Sequence, residues 1–292
     1  MGGTILVTGA TGTVGSELVK QLSSAGQKVR AAVHSATRVP SNDKLKDVEL
    51  TEIDYNKPET LVIACKGADR LFLLTPASPK AAELAANLVK EAKKVGIRHI
   101  VKQSIMWADS GLDVAHLRLH RQAEKIIEES GIPFTFLRPN DFMQNFFNYY
   151  LPTIKSNNAL YLPAGDAKVS FVDVRDIAAT AVKTVTDDGN GRHIGKAYTI
   201  TGPEALSYSR VAEILSNVTG KKISYVNVSE EDSRVGLKAM GWDDWLIDTT
   251  LQLFDVYRKG YASRVSSEVE EILGRKPISF TQFAKDYAQA FR

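Results

Sequence analysis

The chain has 292 residues, 43% of them hydrophobic and 24% charged, which suits one large α/β domain with an elaborated lobe and argues against disorder. Its 37 basic and 34 acidic residues leave a formal charge of +3 with no Lys/Arg block, so neither a nucleic acid nor an anionic membrane is an expected partner. The single cysteine, Cys65, excludes an internal disulfide framework and a cysteine metal cluster. No apolar run approaches the roughly 20 residues of a membrane span, and the five histidines lack metal-ligand spacing. A cytoplasmic protein without a metal is the expectation.

The first element is the most specific. ILVTGATGTVG, residues 5–15, is a buried-strand-length apolar run feeding a turn with Gly9, Gly12 and Gly15 at three-residue intervals. A pyrophosphate sits on a helix N-terminus only where the backbone turns sharply and no side chain holds it away. Gly9 permits the turn, Gly12 the approach and Gly15 the close packing of the first helix; Thr11, Thr13 and Val14 complete the expected dinucleotide clamp. Strands are predicted at 4–7, 28–33, 48–53, 70–74, 99–103 and 134–137, alternating with helices at 14–25, 58–65, 79–95 and 114–130. This alternation builds a doubly wound parallel sheet, an α/β Rossmann domain, over 1–138.

After residue 138 the character changes. Phe142, Phe146, Phe147, Tyr149 and Tyr150 crowd together, with Phe142, Phe146 and Tyr150 at the i,i+4 spacing of a helix face. A strand at 169–172 and a helix at 173–186 read as a return to the sheet, so 166–186 is assigned to the first domain. The stretches 139–165 and 187–292, with a strand at 197–200, a helix at 207–219, a strand at 223–228 and terminal helices, form a smaller α+β substrate lobe.

Four separated segments carry a family resemblance: TGATGTVG at 8–15, SGIPFTFLRPNDFMQNF at 130–146, VSFVDVRDIA at 169–178 and TGPEALSYSRVAEIL at 201–215. Together they resemble the NmrA-like branch of the atypical short-chain dehydrogenase/reductases over essentially the whole chain. The resemblance implies a bound dinucleotide. Within the branch it points toward bacterial NADPH-dependent quinone reductases and triphenylmethane- or azo-dye reductases, alongside cofactor-sensing regulators without turnover.

NAD-selective sheets end the second strand with an acid that accepts from the ribose hydroxyls. Here VRAAVHS ends instead in His34 and Ser35, with Arg38 three residues further on. A guanidinium grips phosphate oxygens bidentately, so Arg38 reads either as a 2′-phosphate ligand or as a solvated loop charge, and NADP(H) is the expected cofactor. His34 stands where similar family members often carry Arg. Asp54 in EIDYNKPETL matches the family position that meets the adenine, or alternatively caps the following helix. Thr75 and Pro76 after the fourth strand, and Pro139 after the sixth, fall at the sheet edge where the nicotinamide end would lie.

Ordinary members of the superfamily use a Tyr-x-x-x-Lys pair, and the helix VAHLRLHRQAEKIIEESG has neither residue. His116 and His120 stand in their place at i,i+4, with Glu124 one further turn along. An imidazole near its ordinary pKa of about 6.5 is a proton donor at neutral pH; alternatively the two histidines are surface residues of an amphipathic helix. Ser104 matches the family serine near the nicotinamide, or is a turn serine. Trp107, Phe142, Met143 and Asn145 are the candidate acceptor-binding residues, three apolar walls and one amide donor. The expected activity is hydride transfer from NADPH to a quinone, azo or triarylmethane-type acceptor by a monomer or homodimer. An NADP(H)-sensing regulator, and a carbonyl or imine reductase using His116 or His120, are the alternatives.

Overall fold

The computed structural model describes residues 3–35, 48–187 and 191–292. Two compact units emerge, one of Met1–Pro139 with Val174–Thr199 and one of Asn140–Asp173 with Ile200–Arg292. Among the described residues no helix is long and apolar enough to cross a membrane.

The first unit is the doubly wound α/β domain. Its strands are β1 (Thr4–Val7), β2 (Val29–Val33), β3 (Glu49–Glu52), β4 (Ala68–Leu73), β5 (His99–Gln103) and β6 (Phe134–Pro139). With a later strand, β9 (Lys196–Ile200), they form one seven-stranded sheet in the order β3-β2-β1-β4-β5-β6-β9. Neighbours from β3 to β6 are all parallel, with Ile5 opposite both Val29 and Arg70, and Ile100 opposite Phe134. The order reverses beside β1, which opens the crevice where such sheets take ligands.

Helices cover both faces because the central strands are apolar on both. On one face α1 (Thr13–Ser24) packs against α7 (Val174–Val185). On the other, α2 (Pro58–Cys65), α3 (Ala81–Lys94) and α4 (Ala115–Ser130) bury Leu61, Leu88, Ala92, Ala123 and Ile127 against Leu6, Leu71, Leu73, Ile100 and Phe136. Strand side chains alternate between faces, so Leu71 and Leu73 join that cluster while Phe72 points to the opposite side. The same parity decides where Lys102 and Arg138 go, two residues beyond Ile100 and Phe136.

The second unit contains α5 (Asn145–Asn148), α6 (Leu151–Asn157), β7 (Ala159–Leu162), β8 (Lys168–Val169), β10 (Leu206–Ser207), α8 (Tyr208–Thr219), β11 (Ser224–Asn227) and α9 (Glu230–Ala239). The chain then runs through α10 (Asp244–Arg258), α11 (Glu268–Leu273), α12 (Phe280–Asp286) and α13 (Ala288–Phe291). β7 pairs in parallel with β11, and β8 pairs antiparallel with β10. The return expected from residue 166 therefore begins at Val174: Val169 belongs to the small β8/β10 sheet, while Val172 makes a single bridge to Phe142. The i,i+4 aromatic stripe is not one helix either. Phe142 precedes α5, and Phe146 is fully buried with its ring 5.3 Å from Phe171 and 5.0 Å from Phe280.

Candidate functional site

The residues expected to hold a cofactor lie at the carboxyl edge of the parallel sheet in the first unit. The glycine turn follows β1, His34 and Ser35 follow β2, Asp54 follows β3, Thr75 and Pro76 follow β4, Ser104 follows β5, and Pro139 ends β6. Arg38 lies outside the described residues.

The turn has the shape its sequence requires. Gly9 has φ +65°, a left-handed conformation that disfavours a side chain, and a Cβ there would also strike Leu74. A Cβ on Gly15 would stand 2.1 Å from the Gly9 carbonyl oxygen, so only hydrogen fits where α1 crosses the turn. At Gly12 the added Cβ would approach only that same oxygen, at 3.2 Å, and otherwise face open space. Gly12 is also the N-cap of α1, with no side-chain cap and no acid in the first turn. An exposed helix start that brings no anion of its own fits a dinucleotide pyrophosphate. Beneath it, Thr8 ties β1 to β4: its Oγ1 donates to the Leu74 carbonyl at 2.9 Å and accepts from the Leu74 amide at 2.8 Å.

At the outer strands the picture is plainer. His34 is exposed and Ser35 half-buried. Asp54 does not cap α2, whose N-cap is Lys57. Its Oδ1 accepts instead from the Asn56 amide at 3.0 Å, which holds the carboxyl below its usual range and shapes the turn after β3.

The centre of the edge contains a residue that the sequence reading passed over. Lys102, 1% exposed on β5, donates from Nζ to the Gln103 carbonyl at 2.8 Å and bonds His120 Nδ1 at 3.3 Å. Its parity with Ile100 aims it at α4. Burial pulls its pKa down to about 8, with the Glu124 charge opposing the shift. His116 and His120 share one face of α4 with ring centroids 4.8 Å apart, edge to face. Desolvation and the Lys102 charge lower His116 to about 4 and His120 well below the ordinary value. Both effects favour the neutral form of the two rings over the imidazolium. They are half-buried rather than surface residues of the helix.

Glu124, 0% exposed, is held in a guanidinium clamp. Arg138 grips it bidentately, Nε to Oε1 at 2.9 Å and Nη2 to Oε2 at 2.8 Å, and Arg121 adds a third bond to Oε2 at 3.0 Å. Arg138 also reaches Asp109 at 2.5 Å. Ser104 is buried, its amide bonded to the Leu137 carbonyl at 2.7 Å and its hydroxyl without a partner among the described residues. Three residues on, Trp107 has φ +66°, a conformation bulky residues adopt only under constraint.

In the second unit Met143, expected to contact an acceptor, is instead core: it is 1% exposed and its amide bonds the Val172 carbonyl. Asn145, expected as an amide donor, gives one Nδ2 hydrogen bond to Asp141 Oδ1 at 2.5 Å. Phe142 is half-buried.

The parallel sheet, its glycine turn and the residues gathered at one carboxyl edge define a dinucleotide-binding α/β protein. The chain matches the NmrA-like family over residues 1–269 and belongs to that family. It is 35% identical over 287 residues to an NAD(P)H azoreductase of Xenophilus azovorans, covering 98% of this chain and 99% of that protein. The Citrobacter sp. triphenylmethane reductase complexed with NADP(H) superposes with a TM-score of 0.84 at 26% identity, covering 97% of this chain and 99% of the other. An NADPH-dependent quinone oxidoreductase of Escherichia coli complexed with NADPH gives 0.84 at 25% identity, with the same coverage of 97% and 99%.

Proposed function

We propose that the protein is an NADPH-dependent oxidoreductase that delivers hydride to an electrophilic aromatic acceptor of the quinone, azo or triarylmethane type. The observation that carries this reading is the glycine turn after β1 and Ser104 after β5 at one sheet edge, with only β4 between them, beside the bonded pair of Lys102 on β5 and His120 on α4. Two strand spacings, roughly 10 Å, separate these positions, a span for a dinucleotide laid across the edge. Membership of a family with NAD(P)H reductases supports it. A bound reduced nicotinamide would supply the hydride.

The chain's own residues divide the remaining work. The α1 start and Gly12 hold the pyrophosphate. Thr75, Pro76 and Pro139 flank the nicotinamide end, Ser104 offers its unspent hydroxyl to a polar acceptor atom, and Trp107 supplies an aromatic wall. A protonated Lys102 has donors and no acceptor, so it must donate to His120 Nδ1 and leave the ring hydrogen on Nε2. His120 then gives a proton as a polarised neutral imidazole rather than as an imidazolium.

Acceptors differ in whether they need that proton. A triarylmethane cation becomes its neutral leuco form on gaining hydride alone. A quinone or azo compound must also gain a proton. His120→Ala should therefore lower quinone turnover about 100-fold more than triarylmethane turnover. Quinone turnover in the wild type should fall as pH rises through about 8, where Lys102 loses its proton, and Lys102→Met should remove that limb. Equal losses for both acceptors, or a limb near 6.5, would count against these roles.

For cofactor choice, Arg38→Ala should weaken NADPH binding by about 1 to 3 kcal/mol and leave NADH nearly unchanged, as measured by titration of each cofactor. Equal weakening of both would remove Arg38 as the 2′-phosphate ligand. The reading as a whole is tested by anaerobic NADPH oxidation with a panel of quinones, azo dyes and triarylmethanes. No acceptor reduced above the buffer rate would overturn it.

A further inference from the structure

In the second unit, one carboxyl is ringed by phenols. Asp141, half-buried, follows β6 by two residues, and its Oδ1 accepts from the Phe142 amide at 3.1 Å and from Asn145 Nδ2 at 2.5 Å. Tyr149 and Tyr150, Tyr208 at the head of α8, and Tyr257 in α10 all feel its charge, and the buried Tyr208 hydroxyl makes no hydrogen bond among the described residues. Tyr208 and Tyr257 are buried beneath, while Tyr149 and Tyr150 are half-buried beside the acid. The Tyr149 ring meets Trp242 edge to face at 5.0 Å, extending the aromatic rim, and the Tyr150 ring meets Phe146 at 5.6 Å.

We propose that Asp141 and this tyrosine rim form an anionic aromatic subsite, lying wholly in the second unit, that takes a positively charged aryl-amine. The proposal rests on the reading that this protein reduces aromatic acceptors. A negative charge beside aromatic residues suits a delocalised cation, which gains from the carboxylate and from neighbouring rings together. A neutral aromatic gains only the rings, and a sulfonated one meets repulsion. The donors to Asp141 are one backbone amide and one carboxamide, both on Oδ1, with no guanidinium or ammonium among the groups acting on it, so its charge is available to a ligand. Burial raises its pKa to about 6. The phenols are shifted upward too and stay neutral as it titrates.

Binding is read on the full chain without cofactor, by equilibrium dialysis of crystal violet against a sulfonated triarylmethane of the same skeleton. At pH 7.5 the wild type should prefer the cationic dye at least tenfold. That preference should shrink as pH falls through about 6, where the carboxyl takes up a proton. Asp141→Asn keeps an oxygen for the Phe142 and Asn145 donors and should abolish both the preference and its pH dependence. Tyr149→Leu should weaken crystal violet while leaving the pH dependence in place. Equal affinity of the wild type for both dyes, or a preference that survives in a folded Asp141→Asn protein, would overturn the subsite. Quinone reduction by the wild type with NADPH reads the underlying activity separately, so a protein that reduces quinones yet ignores dye charge loses only the subsite.

Discussion

Glu124→Ala should destabilise the protein by about 3 to 5 kcal/mol, the cost of leaving buried charge without its partner. The carboxylate is fully buried and takes three guanidinium bonds, while Arg138 is only 12% exposed on its side chain. Arg138 keeps its Asp109 contact in the variant but loses the bidentate one. Urea unfolding of wild type and variant, with matched slopes, measures the difference. Glu124→Gln retains the shape and should cost less. It should also move the pH limb of quinone turnover below about 8, because Glu124 is what opposes the desolvation of Lys102. A loss under about 1 kcal/mol for the Ala variant would mean that the pair is worth no more than a surface bridge.

Gly15→Ala is the second large effect. Its Cβ would lie 2.1 Å from the Gly9 oxygen and 2.7 Å from the Gly9 carbonyl carbon, both backbone atoms that cannot swing aside. Either α1 shifts off β1 or the turn opens, at a cost of about 3 kcal/mol. Dinucleotide binding should be lost with it. Gly12→Ala separates the two consequences: its Cβ meets only one protein atom, at 3.2 Å, so folding should survive while the methyl stands where a pyrophosphate must approach. Thermal melts with and without NADPH distinguish them. Full cofactor stabilisation in Gly12→Ala would contradict a phosphate at this turn.

Much of the first unit was legible because its signals are local. A strand-length apolar run, a glycine turn and helical periodicity place β1 and α1 within a residue or two of where they lie. The β8/β10 pairing was not legible, since two-residue strands carry no period and their partner lies far along the chain. Phe142, Phe146 and Tyr150 have helical spacing, but Phe142 precedes α5, Phe146 lies within it and Tyr150 is the N-cap of α6.

At the site, the histidines were visible as replacements for the missing Tyr and Lys, but their protonation was not, because desolvation and a neighbouring charge come from the tertiary fold. Lys102 had a signal that went unused. In HIVKQS it keeps the parity of Ile100, which aims it at the helix that carries His120. A lysine on the inward parity of a central parallel strand needs a partner, and pairing it with α4 follows once the crossover is drawn.

Hydride delivery is tested most directly by anaerobic reduction of a triarylmethane cation with NADPH deuterated at C4, using the 4R and 4S forms in turn. One of the two should place deuterium on the central carbon of the leuco product, because that carbon accepts hydride and does not exchange with water. Product carrying only solvent hydrogen with both cofactors, or no product at all, would contradict direct transfer.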